Sequence, residues 1–126
     1  MDTLDLFIAG KMVPASNGAT FERANPVTGA TATRAAAATV EDARSAADAA
    51  AAAFPKWSAT PAGERRRILL RAADALGART DDIVAAMKDE VGATEAWARF
   101  NCMLAGEMLI EAAGLTTQIK GEIVPS

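Results

Sequence analysis

The sequence predicts an α+β chain, with short N-terminal strands, then four helices and a terminal strand. Three observations support this. Residues 6 to 35 hold short apolar runs broken by Ala9-Gly10, Asn17-Gly18 and "NPVTG", which is the turn chemistry of paired strands. From Thr39 the apolar residues recur at helical spacing, interrupted at prolines and glycines. The last stretch, "TTQIKGEIVPS", returns to a strand-like pattern.

The elements follow in order. "LFIAGKMV" reads as a hairpin turning at Ala9-Gly10, and "TFERANP" as a strand opening after Asn17-Gly18. "NPVTG" reverses the chain, because Pro26 has no N–H to donate and Gly29 tolerates positive φ. "ATATRAAA" is a further strand. The first helix is expected over about 39–54, with Thr39 and Asp42 spaced as a capping box and an alanine run behind them. It should stop before Pro55, since the residue preceding proline avoids α geometry. A second helix, 60–78, is expected to be capped by Thr60 with Pro61 at its first position. Its stripe is Ile68, Leu69, Ala73 and Leu76, skirted mainly by Arg65, Arg66, Arg67 and Arg71. Phe54 and Trp57 are expected to fold back and pin the corner between these two helices. The third helix, 80–91, has Asp81 and Asp82 in its first turn and Gly92 as its stop. The fourth, 94–115, opens at Thr94 and carries Trp97, Phe100, Met103, Leu104 and Met108.

Composition narrows the function classes. The 126 residues are about one small domain's worth, and 51% are hydrophobic, so the chain is globular. Much of that fraction is alanine, which buries little area, so the core is expected to be thin and the chain to need neighbours. A net charge of −3 gives no attraction to nucleic acid or an anionic membrane. No basic secretory n-region is visible, and no apolar run reaches the roughly 20 residues of a membrane span. The single cysteine suits a reducing compartment, and a cytoplasmic location is expected.

The chemistry-bearing residues are sparse. With no histidine, Ser-His-Asp, Cys-His and Cys/His zinc sites are excluded. No phosphate-cradling glycine loop occurs. Cys102 lies mid-helix among Phe100, Met103 and Leu104 and reads as a small hydrophobe. Glu107 and Glu111, four apart, read as a solvated face, and "ERRR" at 64–67 as surface helix. Trp97, Phe100 and Met103 fit either a core stripe or the lining of an apolar tunnel, and both readings stay open.

Taken in order, these segments resemble the N-terminal quarter of the aldehyde dehydrogenase superfamily. "LFIAGKMV" is similar to the family's opening hairpin, and "TFERANPVTG" fits its F-x-x-x-N-P-x-T-G. "AAAAAFPKW", "PAGER" and "ILLRAADAL" follow at the family's spacing. The usual E-[ST]-G-K-P appears as Glu90-Val91-Gly92-Ala93-Thr94, and with "ATEAWARFN" this looks nearest to the salicylaldehyde and vanillin dehydrogenase branch. The resemblance implies an α/β parent enzyme, a homo-oligomer (dimer or tetramer) using NAD or NADP on an aldehyde, with an aromatic aldehyde the expected substrate. In such an enzyme a cysteine attacks the aldehyde, hydride leaves to the dinucleotide, and a glutamate assists thioester hydrolysis. None of those catalytic or cofactor-binding residues maps onto this chain, so residues 1–126 alone are expected to be inactive and to bind no cofactor. Residues 1–116 would belong to the cofactor-binding domain and 117–126 would begin the oligomerisation arm. Trp97, Phe100 and Met103 would border the substrate entrance. In some members an acid at the Glu90 position, with the carbonyl of Ala24, helps hold a monovalent cation. A stand-alone helical interaction module is the competing reading, and an enzyme acting through Cys102 the least supported.

Overall fold

A computed structural model describes residues 3–125. The element order is β1 (Thr3–Leu4), β2 (Leu6–Ile8), β3 (Lys11–Val13), β4 (Thr20–Ala24), β5 (Thr31–Ala36), α1 (Val40–Ser58), α2 (Ala62–Ala78), α3 (Thr80–Val91) and α4 (Glu95–Leu115). These fall into two compact units, and the division runs through α3. One holds residues 3–59 with Met87–Ala93, the other Thr60–Ala86 with residues 94–125.

In the first unit, β2 and β3 pair antiparallel around Ala9 and Gly10, whose φ angles of 52° and 78° are the left-handed pair that a tight hairpin turn requires. A separate three-stranded sheet runs β1-β5-β4, with β1 parallel and β4 antiparallel to β5. β1 lies outside the expected strand region, because its parallel partner is 31 residues away (Thr3 opposite Arg34), a pairing that local pattern does not disclose. Helix α1 begins as expected. The Thr39 hydroxyl accepts from the Asp42 N–H, and the Asp42 carboxylate accepts from the Thr39 N–H at 2.8 Å. The same carboxylate accepts from the Ser16 N–H at 3.2 Å, which ties the loop after β3 to the start of α1. Asp42 is the buried polar residue among the described ones, and its hydrogen bonds satisfy it.

Three expectations at the corner change. Helix α1 continues through Pro55 to Ser58. Residues 51–59 are all exposed, so the carbonyl that proline leaves without a donor faces water, and the alanine run sustains the helix for one more turn. Phe54 does not pin the corner: it is 63% exposed, and Trp57 is exposed as well. Pro61, not Thr60, holds the capping position of α2, with ψ of 148° and no side-chain cap, and its carbonyl receives the Glu64 and Arg65 N–H groups. The Thr60 carbonyl instead accepts from Arg65 Nε at 3.0 Å.

In the second unit, α4 packs along α2. Thr94 caps α4 by accepting from the Trp97 N–H, and Arg99 links its first turn to α3 through Asp81 Oδ1 at 3.0 Å. The tail after Thr117 forms no strand among the described residues, and Ile119, Ile123 and Val124 stand exposed. No helix of the described residues is long and apolar enough to cross a membrane.

Among the described residues the buried apolar ones are five alanines, Val84 and Cys102, and no large side chain is fully buried. Local hydrogen bonds and backbone conformation therefore carry unusual weight. The Thr39 N–H bond, with smaller contributions from Ser16, holds the Asp42 carboxyl below its ordinary value of 3.8. A depressed folded pKa means that this stabilisation is complete above 3.8 and is lost as pH falls through the folded value. Asp42→Asn should flatten the acid limb of a helicity-versus-pH curve below about pH 4, and an unchanged limb would refute the linkage. At Gly92, φ is +66° and an added Cβ would lie 3.1 Å from Pro26 Cγ. Gly92→Ala should cost about 1–2 kcal/mol in denaturant melts from the left-handed backbone alone.

Candidate functional site

The β4–β5 register sets out two cross-strand pairs that face opposite ways. Glu22 lies opposite Arg34 and Arg23 opposite Thr33, and successive strand residues point to opposite faces. The first pair closes on itself. Arg34 Nε donates to Glu22 Oε1 at 3.1 Å, Thr31 donates to Oε2, and together they hold the Glu22 carboxyl below its usual range, Arg34 foremost. The second pair recruits the end of α3. Thr33 Oγ1 donates to Glu90 Oε1 at 2.6 Å, and Arg23 Nη1 stands 3.3 Å from Glu90 Oε2. Ala24 follows Arg23 across a break in the ladder register. Asn25 then fixes the turn, its Oδ1 accepting from the Val27 and Thr28 N–H groups at 2.9 and 3.1 Å. Gly92 passes this turn closely, an added Cβ lying 3.1 Å from Pro26 Cγ. Two positions singled out in the sequence, Ala24 and Glu90, therefore lie at one corner of the first unit.

The other three candidates project from α4. Trp97 and Phe100 stack with ring centroids 5.5 Å apart at 26°, and Met103 follows one turn on. All three are exposed, Trp97 and Met103 by 58% each. At about 100° per residue they fill roughly a third of the helix circumference. The buried face of α4 is instead made of small residues, Ala98, Cys102 and Ala113. Against α2 there remains an open cleft of about 260 Å³ lined by Ala73, Leu76, Gly77, Met103 and Gly106, with Asp74, Arg99 and Glu107 beside them. Cys102 is buried in this wall, and Glu107 and Glu111 lie exposed. Among the described residues no three His, Cys, Asp or Glu side chains cluster as metal ligands. The "ERRR" arginines are partly engaged within α2, Arg67 Nε meeting Glu64 Oε2 at 2.9 Å.

The model of the aldehyde dehydrogenase family matches residues 12–126. The chain belongs to that family. It is 51% identical over 121 residues to a vanillin dehydrogenase of Pseudomonas fluorescens, a match covering 96% of this chain and 25% of that protein. It is 44% identical, with the same coverage, to a salicylaldehyde dehydrogenase of Pseudomonas putida. A solved salicylaldehyde dehydrogenase from Pseudomonas putida G7, complexed with salicylaldehyde, superposes with a TM-score of 0.94 at 42% identity, over 98% of this chain and 26% of the other. The chain thus spans about a quarter of the length of the relatives it matches.

The sequence singled out Ala24 and Glu90 but not Arg23 and Thr33, the side chains that meet the Glu90 carboxylate. Their involvement depends on β4–β5 register, for which the alternation of side chains was the available signal. The small-residue face of α4 was also legible as Ala98, Cys102 and Gly106 at fourfold spacing, yet the larger side chains drew attention. An alanine Cβ at Gly106 would meet Leu76 Cδ2 at 3.9 Å, an ordinary contact. Gly106→Ala should therefore stabilise α4 by about 0.5–1 kcal/mol in thermal or denaturant melts; a destabilisation would show that the α2–α4 approach is tighter than this.

Proposed function

We propose that this chain is the N-terminal part of an NAD(P)-dependent enzyme that oxidises an aromatic aldehyde to the carboxylic acid. One observation carries the reading: identity of 51% to a vanillin dehydrogenase extends over nearly the whole chain, through strands and helices alike. The solved benzaldehyde dehydrogenase of Corynebacterium glutamicum, NAD-dependent, supports the same substrate class and cofactor, with a TM-score of 0.92 at 31% identity. In this reading the nucleophilic cysteine, the glutamate base and the dinucleotide site all lie outside the segment. The nicotinamide ring, when bound, accepts the hydride. This chain supplies the outer strands and helices of the cofactor domain over 1–116, and 117–126 opens the oligomerisation arm of a dimer or tetramer.

Within that reading the Trp97–Phe100 stack, with Met103, borders the substrate entrance. Exposed, planar and apolar, it offers an aromatic ring an offset-stacking surface that an aliphatic chain cannot use as well. The exposed α4 face also fits a stand-alone interaction module, so an assay has to separate the two.

The full-length polypeptide is assayed with NAD+ and with NADP+, following reduced nicotinamide, on vanillin, salicylaldehyde and benzaldehyde against propanal. The expected result is a kcat/KM at least about tenfold higher for the aromatic aldehydes, equivalent to about 1.4 kcal/mol. Residues 1–126 alone should give no turnover. Trp97→Ala should raise KM for aromatic aldehydes about two- to tenfold with kcat little changed. Turnover by the isolated segment, or preference for propanal, would overturn the reading.

A further inference from the structure

The family resemblance implies a monovalent cation near the Ala24 carbonyl and Glu90, and the donor set in this chain does not fit one. Both oxygens of the Glu90 carboxylate are engaged, Oε1 by the Thr33 hydroxyl at 2.6 Å and Oε2 by the Arg23 guanidinium at 3.3 Å. Arg23 immediately precedes Ala24, so its charge stands at the corner where the ion would bind. A second positive charge there would face the guanidinium across one carboxylate, and the repulsion would offset part of the attraction.

We propose that Arg23 is a tethered substitute for the cation. Its guanidinium neutralises Glu90 and, with Thr33, clamps the β4–β5 ladder to the last turn of α3, so this corner needs no alkali metal ion. The geometry suits an arginine, whose charge is permanent and whose N–H groups are directional. The clamp is local. On one side it holds the strands leading into the Asn25 turn. On the other it holds the Gly92 N–H to Lys88 carbonyl and Ala93 N–H to Met87 carbonyl bonds that end α3, at 3.2 Å each. Arg23 is a positioning residue that acts through Glu90, and the proposal is independent of which aldehyde the enzyme takes.

The test is amide hydrogen exchange on the full-length polypeptide in sodium, potassium and choline chloride at matched ionic strength. The readout is the protection of residues 20–36 and 88–93. The unaltered protein should exchange at the same rate in all three salts. Arg23→Gln should exchange about two- to fivefold faster in choline, the range expected of a partly exposed ion pair. Sodium or potassium should slow it back towards the parent, because the vacated carboxylate can then take a small cation. Arg23→Lys, which keeps the charge, should remain insensitive to the choice of cation. Salt-specific protection in the unaltered protein overturns the proposal, as does an Arg23→Gln variant that neither loosens nor responds to small cations. Loosening without recovery also overturns it, since the arginine would then be a strut and not a substitute for an ion.

Discussion

Close approach of backbones across residues of alanine size is the constraint on which this chain is built. The buried apolar set is Ala15, Ala36, Ala73, Val84, Ala98, Cys102 and Ala113. Burial of apolar surface is worth about 25 cal/mol per Å², so small side chains return little each. What they permit is proximity. Gly92 passes Pro26 and Val27 so closely that an added Cβ would lie 3.1 and 3.3 Å from their side chains. With a small hydrophobic term, the chain relies on hydrogen bonds that close its turns and helix ends. The Asp42 carboxylate is the clearest case, holding both the start of α1 and the Ser16 loop.

The same constraint explains where the large apolar side chains went. Phe54, Trp57, Trp97, Phe100, Met103, Leu104 and Met108 are exposed, as are Ile119, Ile123 and Val124 in the tail. On α4, Trp97, Phe100 and Met103 lie along one exposed face, and an apolar patch of this kind marks an interaction surface. It accords with a segment that spans a quarter of its relatives, whose large side chains are available to surfaces the segment does not contain.

Legibility in the sequence divided along the same line. Features fixed by local chemistry were readable to the residue: the Ala9-Gly10 hairpin, the Thr39–Asp42 box, the third helix over 80–91, its Gly92 stop and the Thr94 cap. Features fixed by competition or distance were not. Pro55 biases the preceding residue away from helix, but the bias was outweighed once the freed carbonyl could face water. Hydrophobicity marked Trp97 and Phe100 as core candidates, whereas packing against α2 favoured the face with the smallest side chains. The tail has strand composition and forms no strand among the described residues. At the Glu90 corner the acid was visible through family resemblance, while its partners required the pairing of Arg23 opposite Thr33, which only the folded sheet supplies.

That corner also shows why an ion pair of modest strength can matter. Arg23 is 46% exposed and Glu90 25%, a setting in which such a pair contributes little to global stability. Its effect is on who else can bind. Like charges repel, so a guanidinium already on the carboxylate weakens the pull on a second cation. A diffusible ion would leave the corner dependent on salt composition and would surrender translational freedom at each binding. A side chain on β4 has already lost that freedom when the strand pairs with β5. The strand register thereby decides the electrostatics: a one-residue slip of β4 would turn Arg23 to the other face and away from Glu90. Register and charge pattern each enforce the other, and this mutual dependence fixes the sheet against the end of α3 without any large buried side chain at the junction.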